Sequence, residues 1–146
     1  MEPTPASRAR RVLVVDDDPS LSVLLTEGLR RMGGYDVVVA NDGVSGLEQF
    51  FDVQPDCVVV DVRMPNLNGY QMVRALRGDP STAQTPIIVL SALVQQREEL
   101  AGLLTGADAY LFKPVTMADL LQTIDRSMRL SAEERRQRYQ GLTEDY

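Results

Sequence analysis

The chain has 146 residues, about one domain, with the apolar (44%) and charged (25%) shares of an ordinary globular protein. A net charge of -6 argues against nonspecific nucleic-acid binding, which needs a basic surface. The absence of histidine excludes Ser-His-Asp triads, Cys-His pairs and histidine-ligated zinc, and one cysteine forms no internal disulfide.

Residues 1–10 read as a loose arm, with Arg8, Arg10 and Arg11 as a solvated lead-in. Five apolar runs follow: Val12–Val15, Val37–Ala40, Cys57–Val60, Ile87–Leu90 and Ala109–Phe112. They lack alternation, as strands covered on both faces do. Cys57 lies inside such a run and reads as a buried structural thiol rather than a nucleophile.

Helical spacing fills the gaps. Leu21, Leu24, Leu25, Gly28 and Met32 form the first stripe, and Val44, Leu47 and Phe51 the second. Met72, Val73 and Leu76 form the third, and Leu100, Leu103 and Leu104 the fourth. Met117, Leu120, Leu121, Ile124 and Met128 form the fifth and clearest, a core stripe rather than a cofactor box.

The punctuation agrees. Asp18-Pro19 reads as an N-cap with proline at the first helical position. Gly33-Gly34 and Gly106 fall at helix ends, Asn68-Gly69 turns into the third helix, and Thr116 with Asp119 spells a capping box. Strand and helix alternate five times, which predicts an α/β fold with a parallel sheet and helices on both faces. The folded domain is expected over 11–130. Residues 131–146 read as a polar tail or a short extra helix capped by Ser131 and Glu134 and ended by Gly141.

In parallel sheets ligands gather beyond the carboxyl ends of the strands. The first run ends at Asp16-Asp17-Asp18, the third at Asp61, the fourth at Ser91 and the fifth at Lys113. Acids, a hydroxyl and a lysine on one edge need a shared reason. Clustered carboxylates repel, raise their pKa values and attract a cation. Magnesium takes a few carboxylates together with phosphate oxygens. Aspartate can be the nucleophile of phosphoryl transfer, and lysine and hydroxyl groups would serve the charged phosphoryl oxygens.

On the Asp16-Asp17 pair, Asp61 with Met64-Pro65, Ser91-Ala92 and Tyr110-Leu111-Phe112-Lys113-Pro114, the chain resembles the receiver domain of two-component response regulators, chemotaxis regulators among them. The resemblance spans about 11–130. It implies a doubly wound, flavodoxin-like (βα)5 sandwich with strand order 2-1-3-4-5. It implies that Asp61 accepts a phosphoryl group from a phosphohistidine on a sensor histidine kinase or phosphotransfer protein. Mg2+ would be held by Asp17, Asp61 and the backbone carbonyl of Arg63, with Asp16 acting largely through water. Lys113 would pair with Asp61 and then with the phosphoryl group, to which Ser91 would also move. Tyr110 would follow inward as the switch, altering the face of the fourth helix, fifth strand and fifth helix that a downstream protein or a second copy reads. Lys113-Pro114 is expected to be cis. Arg63 and Leu93 stand where the family tunes phosphoryl lifetime.

Other readings stay open. Asp18 reads as a cap rather than a third ligand, and Tyr110 taken alone could be core. Asp16-Asp17-Asp18 also contains the Asp-x-Asp pattern of haloacid-dehalogenase-type phosphatases, which would make Asp16 the nucleophile of a magnesium-dependent enzyme. That family needs a late acidic motif, which is not evident here. A degenerate receiver acting as an unphosphorylated scaffold is a further alternative. The preferred expectation is a phosphoacceptor rather than a turnover enzyme. It would be cytoplasmic, monomeric or homodimeric, without direct nucleic-acid or membrane binding, and would act as a single domain through protein partners.

Overall fold

A computed structural model of the protein describes residues 9–62, 64, 66–91 and 106–137. Five parallel strands, β1 (Arg11–Val15), β2 (Asp36–Ala40), β3 (Cys57–Asp61), β4 (Ile87–Ser91) and β5 (Ala109–Phe112), form one sheet in the order β2-β1-β3-β4-β5. This is the doubly wound flavodoxin-like order. Among the described residues the helices that pack on it are, in chain order, α1 (Pro19–Gly33), α2 (Gly43–Val53), α3 (Gly69–Gly78) and α4 (Met117–Arg129). The stripe at Leu100, Leu103 and Leu104 lies outside the described residues, so α4 is the fifth helical segment of the sequence.

Strand side chains alternate between two faces, and both faces are buried. Leu13, Val15, Val58, Val60, Ile87 and Val89 pack with Phe50 of α2 and with Met72, Val73 and Leu76 of α3. Val12, Val14, Cys57, Val59, Ile88 and Leu90 pack with Leu25 and Leu29 of α1 and with Leu120 and Ile124 of α4. The central runs therefore read as unbroken apolar sequence. β2 and β5 are the two edge strands of the sheet, and the side chains of β5 are only partly buried. Burial pushes the Cys57 thiol far up, which keeps it inert.

The caps act as their chemistry demands. Asp18 accepts backbone N–H groups from Ser20 and Leu21 with Pro19 at the helix start, and Gly34 closes α1 at φ 70°. Asn68 opens α3 in a reciprocal capping box with Gln71. Thr116 accepts the Asp119 N–H to open α4. Beyond α4, the Ser131 hydroxyl and the Glu134 carboxylate take each other's backbone N–H at 3.0 and 3.2 Å, leading a helical turn over 132–137.

Two helix faces differ from the expected phase. In α1 the buried positions are Ser22, Leu25 and Leu29, while Leu24 is 66% exposed and Met32 also faces outward. In α2 they are Gly43, Gly46 and Phe50, while Val44 is exposed and Phe51 is 55% exposed. The cause is the same in both. The contact line runs through a serine in one helix and glycines in the other. At Gly46 an added Cβ would lie 3.0 Å from Val15, so the glycine lets α2 approach the sheet without registering as apolar.

Candidate functional site

Because all five strands are parallel, their carboxyl ends share one edge. Asp16 follows β1, Asp61 ends β3, Ser91 ends β4 and Lys113 follows β5. The Lys113 ammonium lies 2.7 Å from Asp61 Oδ1 and 3.7 Å from Asp16 Oδ2. The Lys113 backbone N–H donates to the Ser91 carbonyl at 2.7 Å, which ties the lysine to the end of β4. The Lys113–Pro114 peptide bond is cis.

The carboxylates differ in burial. Asp16 is 2% exposed and Asp61 6%, whereas Asp17 is exposed. Asp16 Oδ1 accepts the Asp18 N–H at 2.8 Å, but Oδ2 is buried without a hydrogen-bond partner. One oxygen each of Asp16, Asp17 and Asp61 lie within 4.8 Å of one another. A buried carboxylate oxygen that accepts no hydrogen bond, beside two more carboxylates, fits a hard, oxygen-seeking divalent cation. Arg63, expected to add its carbonyl, lies outside the described residues, as do Pro65, Ala92 and Leu93.

Burial raises the Asp16 pKa. The Asp18 N–H opposes the rise, Asp61 adds to it, Lys113 again opposes it and Asp17 adds to it. An acid held above its free value binds its proton more tightly in the folded state. Its contribution to stability therefore falls as pH climbs from the ordinary carboxylate range through the raised value, and the loss is complete above it. Asp16→Asn is expected to raise the thermal midpoint at neutral pH in chelated buffer, with the gain vanishing in acid. Magnesium at a hundredfold excess over its dissociation constant is expected to stabilise the wild-type chain by about 2.7 kcal/mol, and the Asp16→Asn variant by much less. Melts with chelator and with millimolar magnesium check both.

The loop after β3 is pinned by backbone packing. The Gly69 N–H donates to the Val62 carbonyl at 3.0 Å, and a Cβ on Gly69 would lie 2.4 Å from the Asp61 carbonyl oxygen. A Cβ on Gly43 would lie 2.2 Å from the Leu67 carbonyl oxygen. Neither backbone can yield as a flexible side chain does. Gly69→Ala is expected to cost about 1–3 kcal/mol in a urea melt, through displacement of the segment that carries Asp61.

Two features carried no sequence signal. The Tyr70 hydroxyl on α3 lies 3.1 Å from that of Tyr110 on β5. At the opposite edge of the sheet, Asp108 sits buried between two arginines, Arg135 at 2.7 Å and Arg77 at 3.2 Å. Burial pulls the Arg77 guanidinium down to about 10, and the Asp108 charge resists. Each pairing joins residues far apart in the chain, so no local motif announces it.

The comparisons agree with this architecture. The family model described as the response regulator receiver domain matches residues 12–125. RpaA of Synechocystis, described as a DNA-binding dual master transcriptional regulator, is 37% identical over 119 residues, covering 82% of this chain and 49% of that protein. The response regulator MprA of Mycobacterium tuberculosis is 39% identical over 140 residues, covering 92% of this chain and 60% of its own length. The chain spans about half the length of the first curated relatives it matches. Among solved structures, the Vibrio cholerae chemotaxis protein CheY4 superposes with a TM-score of 0.76 at 31% identity, covering 82% of this chain and 99% of that one. The BeF3-activated N-terminal receiver domain of Klebsiella pneumoniae RstA gives 0.76 at 30%, covering 83% and 100%. With five parallel strands in that order and a family match over most of its length, the chain belongs to the response regulator receiver domain family.

Proposed function

We propose that Asp61 is the phosphoacceptor of a two-component phosphorelay. The observation that carries this reading is the buried Asp61 carboxylate, paired with Lys113 at 2.7 Å and flanked by Asp16 and Asp17. A carboxylate oxygen of Asp61 attacks the phosphorus of a phosphohistidine on a sensor histidine kinase or phosphotransfer protein. The P–N bond breaks, its electrons and a proton stay with the imidazole, and an aspartyl phosphate forms. Lys113 holds Asp61 in place before transfer and stands ready to meet the new phosphoryl charge. The Ser91 hydroxyl, buried at the end of β4, is the proposed donor to the phosphoryl oxygens.

Asp17 and Asp61 would hold magnesium together with the Arg63 carbonyl, and Asp16 would act largely through water. When bound, the ion supplies positive charge against the phosphoryl oxygens and offsets the repulsion among the carboxylates. The transfer adds negative charge and acceptor oxygens at one strand end. Ser91 and Lys113 are drawn toward them, and Tyr110 shifts the face of the segment before β5, β5 itself and α4 between pre-existing states. A downstream protein or a second copy reads that face. No helix among the described residues is long and apolar enough to cross a membrane.

Incubating the chain with magnesium and a small acyl-phosphate donor, then weighing the intact protein, tests the proposal. One phosphoryl group per chain, lost when magnesium is chelated beforehand, is expected. An unchanged mass under every donor condition would favour the scaffold reading instead.

A further inference from the structure

Tyr110 sits on β5 opposite Val89 and packs against the core cluster of β1, β3 and α3. Its ring meets Phe112 edge-on with centroids 5.2 Å apart. Its hydroxyl faces that of Tyr70 at 3.1 Å, and either can donate. Tyr70 is the second residue of α3, which begins directly after the acceptor loop. The close contact of Gly69 with the Asp61 carbonyl fixes the start of that helix against the end of β3. Tyr70 is thus anchored beside the acceptor while its hydroxyl reaches a strand residue just ahead of Lys113.

We infer that Tyr70 is a positioning residue of the switch, holding Tyr110 inward before any phosphoryl group arrives. This rests on the proposed roles of Asp61 and Tyr110 and adds a regulator of the same site. A half-buried tyrosine hydroxyl needs a partner, and Tyr70 supplies one only while the Tyr110 ring lies against α3. The contact therefore raises the inward population. A ligand that binds only the inward state gains affinity in proportion to the inward population. One neutral hydrogen bond shifts the inward-to-outward ratio by about two- to tenfold, and the affinity follows by up to that factor.

The test titrates beryllofluoride, a phosphoryl analogue, into the full chain in magnesium buffer, followed by calorimetry. The chains are wild type, Tyr70→Phe, Tyr110→Phe and the double variant. Tyr70→Phe is expected to weaken binding measurably, by up to about tenfold. Tyr110→Phe, which removes the same contact from the other ring, should lose at least as much. Adding Tyr70→Phe to Tyr110→Phe should then change nothing further. Wild-type affinity in Tyr70→Phe overturns the inference. So does an equal loss in the Tyr110→Phe background, which marks general damage to α3. Failure of the wild-type chain itself to bind beryllofluoride would instead overturn the acceptor reading of Asp61.

Discussion

Asp61→Asn is expected to abolish phosphoryl uptake, lowering it by at least a hundredfold, on the order of the loss when a nucleophile is removed from a site that still binds its substrate. The amide keeps the size and position of the side chain at the end of β3 but lacks the anionic oxygen that attacks phosphorus. Lys113 also loses its counter-charge at 2.7 Å, so a modest drop in stability should accompany the loss. The informative contrast is Asp16→Asn. Asp16 is the more buried acid and keeps an unsatisfied oxygen, which suits a group that helps to hold a cation. Asp16→Asn is expected to slow uptake and weaken its magnesium dependence without preventing it. A phosphatase of the Asp-x-Asp type demands the reverse, with uptake lost in Asp16→Asn and retained in Asp61→Asn. Intact-mass time courses on the two variants separate the readings.

Arg135→Ala is expected to destabilise the domain by about 3 kcal/mol, the low end of the cost of stranding a buried charge. The low end applies because Arg77 still faces Asp108 at 3.2 Å. Arg135 is 7% exposed. Its Nε donates to Asp108 at 2.7 Å, and its terminal nitrogens donate to the Gln84 carbonyl at 3.0 Å and the Ser127 carbonyl at 2.8 Å. One guanidinium thus joins the turn before β4, the residue before β5 and the last turn of α4. In a chain of this length the loss corresponds to a fall of on the order of 10 °C in melting temperature. A chain ending at residue 130 should fall as far, whereas a merely frayed tail would leave the melt unchanged. Calorimetric melts of the three chains decide. Arg135 also lies past the stretch that the family model matches.

Much of this was legible because it is local. A strand covered on both faces writes itself as a short apolar run, and a site at the carboxyl edge of a parallel sheet writes itself as the residue after each run. Asp16, Asp61, Ser91 and Lys113 can therefore be placed on one edge from the sequence alone. Caps are equally local, and Asp18, Asn68 and Thr116 sit where their side chains can take orphan N–H groups. The phase of α1 and α2 was lost because Ser22, Gly43 and Gly46 occupy the contact line, and tight approach there requires residues that hydropathy does not count. Nor could spacing reveal that Arg135 would reach back to Asp108, or that two tyrosine hydroxyls from α3 and β5 would meet. Those pairings depend on how the elements stack, which no short window encodes.

Asp61, and no other acid of the cluster, is the proposed carrier of the phosphoryl group. The direct measurement is chemical trapping of the wild-type chain after exposure to magnesium and a small phosphodonor. Borohydride reduces an aspartyl phosphate to homoserine, which marks its position through peptide mass mapping. A homoserine at position 61, with positions 16 and 17 unchanged, is the expected result. A homoserine at position 16, or none anywhere in a chain whose mass shows a phosphoryl group, would overturn the assignment of Asp61.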